Sequence, residues 1–544
     1  MAIAIPHPLR GTGLRNAFRI ILCSPLTGRT GLFGASVCAG FFRVATFLLV
    51  INAIVIRAAN ASAGDAIQPV INLSNGGPRV PPHFLGVSIE YGTSLRMLMS
   101  REHSRQAAFI NLMNCLGRYN GAPIIRIGGN SEDRAAWNLS QYPNRSKHLR
   151  YNITPADNAR LAAIAKASGC KLILGLNLGT GTRHMARQWV RHAMATIGIG
   201  HILAFEVGNE PDLYKKLGGK WRNETFQLYL RNFNRLMTAI MPLVQSPKLI
   251  AGPAFCCRWL RNTTPKFIQA EHARIGLVTI HYYPLGAPIK NPESPHFASI
   301  PNLLKDASSR VYANLVGPSV SVARRYHLPV RYAEMNSAYG GGKRGVSNTF
   351  ASALWCADTL FEIAHAGGAG VNFHTGSIYG AFWPAGMHSQ GLQPHPLYYG
   401  MLLFAKAVQN GGRLVPVNYP HKGGIKIWAC QDRSNVLRIV VLNKNLTGDI
   451  RIALPIKPQS HATVEYLTAP TVAATNGINF GGITFDHTNN GTARGHFKPQ
   501  PLAVYGRQWV VPVAHVSAAI REMPKIPGER RDRKPAITWT GAWG

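Results

Sequence analysis

The feature that most constrains this chain is an alternation of short apolar runs with helix-length amphipathic segments, repeated eight times between residues 85 and 410. Near-continuous apolar strands indicate a parallel sheet that is covered on both faces. Eight strand–helix units therefore predict a (β/α)8 TIM barrel. The predicted strands are 85–91, 124–130, 171–179, 202–210, 248–255, 277–285, 329–338 and 369–376, and the predicted helices include 157–168, 184–197, 225–240, 348–366 and 396–409.

The main alternative for this region is an open doubly wound sheet. Such a sheet usually carries a glycine-rich phosphate loop directly after its first strand. Gly92-Thr93-Ser94 does not provide one, and Gly179-Thr180-Gly181 follows the third predicted strand. We therefore prefer the barrel.

A second domain is predicted to follow the barrel at residues 411–520. Its apolar segments (425–430, 436–443, 449–454, 462–467 and 502–511) have the length of strands and are separated by Gly, Asn and Pro. This pattern is typical of an antiparallel β-sandwich. The fold class is thus α/β, with residues 64–84 expected to add a strand to the β-domain and residues 521–544 expected to form a basic tail.

The first 63 residues have the composition of an export signal. They contain six arginines and no acidic residue, and the apolar run 44–56 precedes Ala61-Ser62-Ala63. Basic residues, then an apolar run, then a small-x-small site predict a secretory signal peptide cleaved near Ala63. The protein would then be secreted or periplasmic; the alternative is an uncleaved membrane anchor through residues 41–57.

The charge balance first suggests a polyanion-binding protein. There are 59 Lys and Arg against 23 Asp and Glu, giving a formal net charge of +36. However, the imbalance comes as much from missing carboxylates as from added bases, and the chain has no block of five like charges. No Cys-x-x-Cys motif or zinc-site spacing occurs, so the cysteines are interpreted mainly as small buried residues.

Scarce carboxylates make the acidic residues at strand ends conspicuous, because barrel chemistry is located at the carboxyl ends of the strands. The leading pair is Glu210, at the end of the fourth predicted strand, and Glu334, near the end of the seventh. Glycoside hydrolysis requires one carboxyl that donates a proton and one carboxylate that attacks the anomeric carbon. The ordinary alternative for each glutamate is an ion pair with a nearby arginine.

The sequence around both glutamates resembles glycoside hydrolase family 79, the β-glucuronidase and heparanase-like family, in an exported form of bacterial type. Residues 204–212 (AFEVGNEPD) look like its strand-four acid/base motif, and residues 333–342 (AEMNSAYGGG) look like its nucleophile loop. Lesser matches occur at 86–91, 126–131, 281–283 and 396–405. The resemblance covers nearly the whole mature chain.

The resemblance implies a role for each matching residue. Glu210 would be the acid/base and Glu334 the nucleophile. Substrate-binding residues would be Asn209 at the sugar 2-hydroxyl, Glu90 and Asn130 at the 3- and 4-hydroxyls, Tyr282 as a phenol donor to Glu334, and Tyr339, the Gly341 N–H and Tyr379 at the C6 carboxylate. Arg126 would act electrostatically on Glu334, and Glu206 would be buried against Arg126. No metal or cofactor is implied, and His281, His374 and His395 are expected to be hydrogen-bond partners.

The resulting hypothesis is a retaining exo-β-glucuronidase that acts on a glucuronic-acid-containing glycan or glucuronide, with no nucleic-acid partner. Two alternatives stay open: an endo-acting, heparanase-like hydrolase of acidic polysaccharides, and a non-catalytic polyanion-binding protein. The loops 88–98 and 130–151 are long enough to wall off a pocket, which favours exo action. Oligomeric state is left open.

Overall fold

The structure, a computed structural model, describes residues 66–523 apart from 103, 144–145, 218–220, 222–223, 385–388, 422, 455–461, 503 and 506–507. The predicted signal or anchor segment at 1–63 lies outside the described residues, as does residue 524 onwards of the predicted tail. Among the helices that are described, none is long and apolar enough to cross a membrane.

Eight parallel strands form a closed barrel, which confirms the predicted fold class. The ring closes where the eighth strand pairs with the first, through Phe373 with Val87 and His374 with Ser88. All of the buried runs predicted from the sequence contain one of these strands. In chain order they are β1 Gly86–Glu90, β2 Ile124–Gly128, β3 Leu172–Leu176, β4 Ile202–Val207, β5 Ile250–Phe255, β6 Leu277–Tyr282, β7 Val330–Met335 and β8 Gly370–Thr375.

A principal helix follows each strand. Local capping explains where several of them begin: Thr154 and Asp157 form a reciprocal capping box, and the hydroxyls of Thr182 and Thr225 accept hydrogen bonds from the first turns of their helices. The helices are α1 Arg105–Asn120, α2 Pro155–Ser168, α3 Arg183–Ile197, α4 Phe226–Val244, α5 Thr264–Glu271, α6 Asp306–Arg324, α7 Phe350–His365 and α8 Pro396–Ala407.

Shorter elements are located in the loops at the ends of the barrel strands. They comprise the helices Thr93–Leu98, Cys257–Leu260 and Ile300–Leu304, and the paired strands Ala135–Trp137 with Tyr151–Ile153, Leu285–Gly286 with Ala338–Tyr339, and Phe382–Trp383 with Gln393–Pro394. The Leu285–Gly286 pairing joins the loop after β6 to the loop after β7. These two loops are therefore held side by side.

The C-terminal region forms two antiparallel sheets that share an apolar core. The larger contains Arg413–Val415, Ile425–Gln431, Leu437–Asn443, Ser517–Met523, Thr463–Thr468, Asn479–Phe480, Ile483–Thr484, Arg494–Gly495 and Gln500–Pro501; the smaller contains Ile450–Leu454, Gln508–Val513 and Val504–Tyr505. Near the chain's start, Val70–Ile71 pairs with Val417–Asn418.

The predicted boundary at 520/521 is wrong by three residues. The last strand continues to Met523, because its seven residues pair one-for-one with Leu437–Asn443 in the larger sheet. Arg521 is buried in that strand, with its guanidinium over the Trp509 ring. A basic residue at this point is thus part of the sheet and not the first residue of a tail.

Buried ion pairs connect the β-domain to the barrel helices. Lys444 Nζ lies 2.7 Å from Asp358 Oδ2 on α7 and 2.8 Å from Asp306 Oδ1 on α6. Lys426 Nζ lies 2.8 Å from Glu362 Oε1, also on α7. The barrel and the β-domain share one continuous apolar core, so the two halves are packed as one unit.

Candidate active site

Glu210 and Glu334 meet at the carboxyl ends of their strands. Glu210 follows β4 by three residues, and Glu334 is the fifth residue of β7. A carboxylate oxygen of each, together with a ring nitrogen of His281, lies within 4.8 Å of the others. Carboxyl groups about 5–5.5 Å apart are typical of retaining glycosidases, whereas inverting enzymes hold them roughly 6.5–9.5 Å apart.

The backbone at Glu210 adopts an unusual conformation. Its φ of +49° lies in the left-handed region, which non-glycine residues rarely occupy. The Glu210 N–H donates to the Ala254 carbonyl at 3.0 Å, and the preceding Asn209 N–H donates to Asp133 Oδ2 at 3.0 Å. Strained backbone that is fixed by its surroundings is common at active sites. Here the two backbone hydrogen bonds fix the direction in which the Glu210 side chain leaves the chain.

Glu334 is held as an anion by cations and donors. Arg126 Nη1 lies 2.6 Å from its Oε2, Tyr283 Oη donates to its Oε1 at 2.8 Å, and His374 Nδ1 lies 3.7 Å from Oε2. Burial alone would raise the pKa of Glu334, but His374, His281, Arg126 and the Tyr283 hydrogen bond lower it to about 2. Glu334 is therefore ionised at neutral pH.

Glu210 has the opposite protonation preference. Burial and the nearby Glu334 charge raise its pKa to about 8, against the weaker lowering effect of Arg126 and others. His281 Nδ1 lies 3.3 Å from Glu210 Oε1, and burial lowers the pKa of His281 to about 4, so this imidazole is neutral. Two carboxyls whose pKa values are pushed apart are suited to acid and nucleophile roles respectively.

Arg126 is the centre of the buried polar network. Its Nε lies 2.5 Å from Glu206 Oε2, and its Nη2 donates to Asn209 Oδ1 at 2.9 Å. The guanidinium also donates to Ser88 Oγ at 3.2 Å. The predicted contact between Glu206 and Arg126 is therefore present, and the same arginine connects Asn209 with Glu334.

Glu90 is at the end of β1, where it accepts hydrogen bonds from the backbone N–H groups of Asn130 and Ser131 at 3.0 and 2.7 Å. The Ser131 hydroxyl also donates to it, and His374 Nε2 lies 3.6 Å away. Although burial lowers the pKa of His374, Glu334 and Glu90 raise it overall. The Asn130 residue is exposed next to this carboxylate.

The glycine-rich loop after β7 packs against the loop after β8. Gly340, Gly341 and Gly342 have φ values of +81°, +87° and +84°. The Gly341 carbonyl accepts a hydrogen bond from Ser377 Oγ at 2.7 Å, and a Cβ on Gly342 would lie 2.9 Å from Tyr379 Cβ. The structure thus places the loop that carries Gly341 against the loop that carries Tyr379.

Tyr379 and Tyr339 differ in exposure. The Tyr379 ring is buried, 6.0 Å from the rings of both Tyr283 and His374, which themselves contact Glu334. Tyr339 is 45% exposed, and its ring lies over Gly286 in the adjoining loop. One predicted tyrosine therefore lies inside the site, and the other lies on an exposed rim.

The prediction that Tyr282 donates to Glu334 is wrong, because Tyr283 makes this hydrogen bond. Side chains of a strand alternate between its faces. His281, on β6, points to Glu210, so Tyr283 shares its side and Tyr282 faces away. The Tyr282 ring instead packs against Tyr312 of α6 at a centroid distance of 5.4 Å.

Tyr283 and Asp133 were not assigned a role from the sequence. Tyr283 donates to Glu334, and Asp133 accepts from the backbone of Asn209 and from the Tyr214 hydroxyl. His281 and His374, expected to be hydrogen-bond partners, contact Glu210 Oε1 at 3.3 Å and Ser88 Oγ at 3.0 Å. Strand alternation around His281 could have identified Tyr283. Asp133 was visible only as a carboxylate after β2, with nothing in the sequence to reveal its partners.

Glu210, His281 and Glu334 also present oxygen and nitrogen atoms close enough together to bind a metal ion. The second oxygen of Glu334 faces Arg126 at 2.6 Å, however, and its first accepts from Tyr283. A cation there would be repelled by the buried guanidinium. The absence of a metal nevertheless stays a prediction.

Comparison with known proteins finds a family model for the C-terminal domain. Residues 427–520 match the glycosyl hydrolase family 79 C-terminal beta domain. A β-glucuronidase of Aspergillus niger is 26% identical over 374 residues, which cover 61% of this chain and 66% of that protein. Heparanase of Gallus gallus is 26% identical over 277 residues, covering 48% of this chain and 49% of heparanase.

A solved structure shares the fold. It is the 4-O-α-L-rhamnosyl-β-D-glucuronidase of Fusarium oxysporum 12S, with a TM-score of 0.69, 18% identity, and coverage of 84% of this chain and 100% of that one. The chain matches less than two thirds of the length of the β-glucuronidase and about half of heparanase. Together these comparisons confirm the resemblance to glycoside hydrolase family 79.

Proposed function

We propose that this chain, which carries the family 79 β domain behind a (β/α)8 barrel, is a retaining glycoside hydrolase that removes terminal β-D-glucuronic acid from glycans or glucuronides. The observation that supports this best is the pair formed by Glu210 and Glu334. Their oxygens lie within 4.8 Å of each other, and their pKa values are about 8 and about 2. Two carboxyls this close together, one protonated and one ionised, suit a double displacement.

In the first step, the ionised Glu334 attacks the anomeric carbon while Glu210 gives its proton to the departing glycosidic oxygen. A covalent glycosyl ester on Glu334 results. Arg126 and Tyr283 hold the Glu334 carboxylate in one orientation, so the attacking oxygen is positioned before substrate arrives. The aglycone then leaves as a neutral alcohol.

The second step requires Glu210 to act as a base. Once Glu334 is esterified, its negative charge is gone, and the repulsion that raises the pKa of Glu210 disappears. The pKa of Glu210 therefore falls, and its ionised carboxylate can deprotonate water. The hydroxide attacks the anomeric carbon, releases Glu334 and restores both groups.

Recognition of the sugar is assigned to the residues around this pair. Asn209 is bound through its Oδ1 to Arg126, which leaves its amide N–H groups to face the 2-hydroxyl. Glu90 and Asn130, which adjoin each other at the ends of β1 and β2, are proposed to bind the 3- and 4-hydroxyls.

The C6 carboxylate of the uronic acid needs hydrogen-bond donors. We assign Tyr379, the Gly341 N–H and Tyr339 to it, because the loops that carry them adjoin and Tyr379 lies beside Tyr283. A positive φ at Gly341 permits close approach of the backbone to the ligand. The surplus of bases over acids on the chain would attract an acidic sugar.

Exo action is proposed because the loop after β2 is long and carries a pair of short strands, Ala135–Trp137 with Tyr151–Ile153, which could help to wall off a pocket.

Export through residues 1–63 is proposed from their composition. N-terminal sequencing of protein released by the host tests it: a start near residue 64 supports cleavage, and a start at residue 1 in a membrane fraction contradicts it.

The central experiment measures hydrolysis of a chromogenic β-D-glucuronide by the wild type, Glu210→Gln and Glu334→Gln. We expect kcat to fall by roughly 10²–10⁴-fold without the acid/base, because water is no longer deprotonated in the second step, and kcat/KM to fall by about 10⁴-fold or more without the nucleophile. Glu293→Gln is a matched control, since Glu293 is an exposed glutamate in the loop after β6 and should keep the wild-type turnover. Equal turnover by the wild type and both glutamine variants would contradict the mechanism.

Azide distinguishes the two roles. In Glu334→Ala, azide can attack the anomeric carbon directly from the vacated side, which inverts the configuration and gives the α-glycosyl azide. In Glu210→Ala, azide would attack the covalent intermediate and give the β-glycosyl azide. Identical azide products from both variants would reject the assignment.

Product analysis separates the remaining alternatives. Release of free glucuronic acid from the ends of an acidic oligosaccharide supports exo action, whereas a series of shorter oligosaccharides supports the endo alternative. A β-glucoside cleaved better than the β-glucuronide would reject the uronate assignment. A protein that only binds polyanions would show salt-sensitive binding without turnover.

A further inference from the structure

The loop after β5 places two consecutive cysteines beside the acid/base residue. Cys256 and Cys257 follow Phe255 directly, and Cys256 is buried whereas Cys257 is exposed. Their sulfur atoms lie only 2.9 Å apart, which is closer than two non-bonded sulfurs normally approach. None of the steps proposed above uses either thiol.

Cys256 is held in place by Asp212, the last residue of the segment 204–212 that carries Glu210. The Cys256 N–H donates to Asp212 Oδ1 at 3.1 Å, and Cys256 Sγ lies 3.8 Å from Asp212 Oδ2. An oxygen of Asp212 and both sulfurs lie within 4.8 Å of one another. Cys256 also lowers the pKa of Glu210. The pair is therefore coupled both to the loop that carries Glu210 and to Glu210 itself.

We propose that Cys256 and Cys257 form a reversible vicinal disulfide that moves the Cys256 sulfur away from its contact with Asp212, two residues beyond Glu210, and so adjusts the acid/base function of Glu210. The oxidant is a small-molecule disulfide. The exposed Cys257 thiolate attacks one of its sulfurs and releases the first thiol. The Cys256 thiolate then attacks the Cys257 sulfur of the mixed disulfide and releases the second, so both protein protons end on the two released thiols.

The adjacency of the two residues makes this bond easy to reduce. Consecutive Cα atoms are about 3.8 Å apart, whereas the Cα atoms of an ordinary disulfide are separated by roughly 4.4–6.8 Å. A bond that joins neighbours is therefore strained, and strained, accessible disulfides are the labile ones. The exposure of Cys257 gives a small reductant access to it.

Oxidation has a calculable direction of effect on Glu210. The Cys256 thiol lowers the pKa of Glu210, so its displacement raises that pKa. The other titratable groups facing Glu210, each unchanged by oxidation, are Glu334, Arg126, His281, His374, Glu206, Asp212 and Tyr283. The pH at which kcat/KM falls on the basic side should therefore rise by roughly half a unit to one unit.

The test begins with the chemistry of the pair, independent of any activity. The full-length protein is reduced with dithiothreitol, desalted, incubated with glutathione disulfide, unfolded and alkylated. Trypsin cleavage after Lys248 and Arg258 yields a peptide, 249–258, that contains both cysteines and no others. We expect this peptide to resist alkylation and to be lighter by two hydrogen atoms, and dithiothreitol to reverse both changes.

Two variants control the assignment. Cys257→Ser removes the partner and should abolish the change in peptide 249–258, whereas Cys115→Ser, in α1, should leave it intact. Alkylation of both cysteines in the oxidised wild type, or arrest at a glutathione adduct on Cys257, would overturn the proposal.

The kinetic part rests on the proposed function. The pH dependence of kcat/KM for a β-glucuronide should shift on oxidation of the wild type and not of Cys257→Ser. A disulfide in peptide 249–258 without that shift would overturn the coupling to Glu210. A protein that hydrolyses no glucuronide would reject the proposed function, and the peptide result would still decide whether the disulfide forms.

Discussion

At the scale of single residues, the pKa of Glu210 is raised and that of Glu334 is lowered, although the two carboxyls share one site, with Glu334 buried and Glu210 partly buried. The difference lies in their neighbours: Glu334 contacts Arg126 and Tyr283, whereas Glu210 faces a neutral His281 and the negative Glu334. A buried carboxylate is stabilised by donors and destabilised by like charge. The contacts of each glutamate therefore assign its role.

The pH dependence of activity follows from these values. Because Glu210 must be protonated in the first step, kcat/KM should fall as the pH rises through about 8, the pKa of Glu210. Glu334, with a pKa of about 2, should add no acidic limb above about pH 4. An alkyl β-glucuronide, whose leaving group needs a proton, is the substrate to use. A basic limb that persists unchanged in Glu210→Gln would show that another group is the acid.

Tyr283, and not the predicted Tyr282, donates to Glu334, so phenylalanine substitutions of the two neighbours form a matched comparison. Removing the phenol in Tyr283→Phe takes a hydrogen bond from an ionised Glu334, and such bonds are worth about 1.5–3 kcal/mol. We expect kcat/KM to fall roughly 10- to 100-fold, with the pKa of Glu334 raised. Tyr282→Phe, whose ring packs on Tyr312, should stay within about twofold of the wild type. A larger loss in Tyr282→Phe than in Tyr283→Phe would restore the original assignment.

At the scale of elements, the eight barrel strands could be predicted because each is a buried apolar run between helix-length segments. The same pattern placed Glu210 and Glu334 at one end of the barrel. It could not place the side chains of the loops, since these depend on contacts between distant segments. Asp133 illustrates this: it accepts hydrogen bonds from Leu178, Gly179 and Asn209, which belong to two other strand–loop units.

The strand ends were predicted too long for a related reason. The prediction carried the fourth strand to residue 210, but β4 ends at Val207. Gly208, with a φ of +80°, and Glu210 then turn the chain away from the sheet direction. Apolar content alone does not show where pairing stops, because the Asn209–Glu210 segment is buried by its polar contacts and not by a ladder.

The role of the glycine loop after β7 can be tested with two alanine substitutions that introduce a similar backbone strain. Gly342 and Gly345 have φ values of +84° and +77°, so alanine at either should cost about 1–2 kcal/mol of stability. A Cβ at Gly342 would lie 2.8 Å from Ile378 Cγ2 and 2.9 Å from Tyr379 Cβ, whereas nothing lies within 4 Å of one at Gly345.

Only Gly342→Ala should therefore displace the Tyr379 loop. We expect its KM for a β-glucuronide to rise several-fold more than that of Gly345→Ala, with similar losses in the free energy of unfolding. Steady-state kinetics and chemical denaturation of the two variants provide the comparison. Equal KM values would show that the contact between the two loops does not position the uronate-binding residues.

At the scale of the whole molecule, the β-domain is packed on the barrel through charge as well as apolar surface. Lys444 and Asp358 are both buried, and Asp358 also accepts from Ser309 Oγ on α6. Burial raises the pKa of Asp358, but Lys444 and Lys426 lower it overall. The carboxylate is thus kept ionised by lysines from the other domain, so barrel stability depends on the β-domain being in place.

Replacing Lys444 with Met tests this dependence. The substitution leaves Asp358 as a buried charge without its closest cation, and breaking such a pair costs about 3–5 kcal/mol. Lys498→Met, at an exposed lysine of the β-domain, is the control and should change the free energy of unfolding by less than about 0.5 kcal/mol. Denaturant unfolding followed by both tryptophan fluorescence and circular dichroism measures the loss.

The direction in which pH changes the stability loss of Lys444→Met follows from the pKa of Asp358. A carboxyl whose folded pKa is depressed contributes stability above its unfolded pKa, about 3.9, and this contribution disappears as the pH falls through the lower, folded value. The gap in stability between wild type and Lys444→Met should therefore be full at neutral pH and shrink below about pH 4. A gap that stays constant down to pH 3 would show that Lys444 stabilises the domain contact through packing of its aliphatic chain and not through its charge.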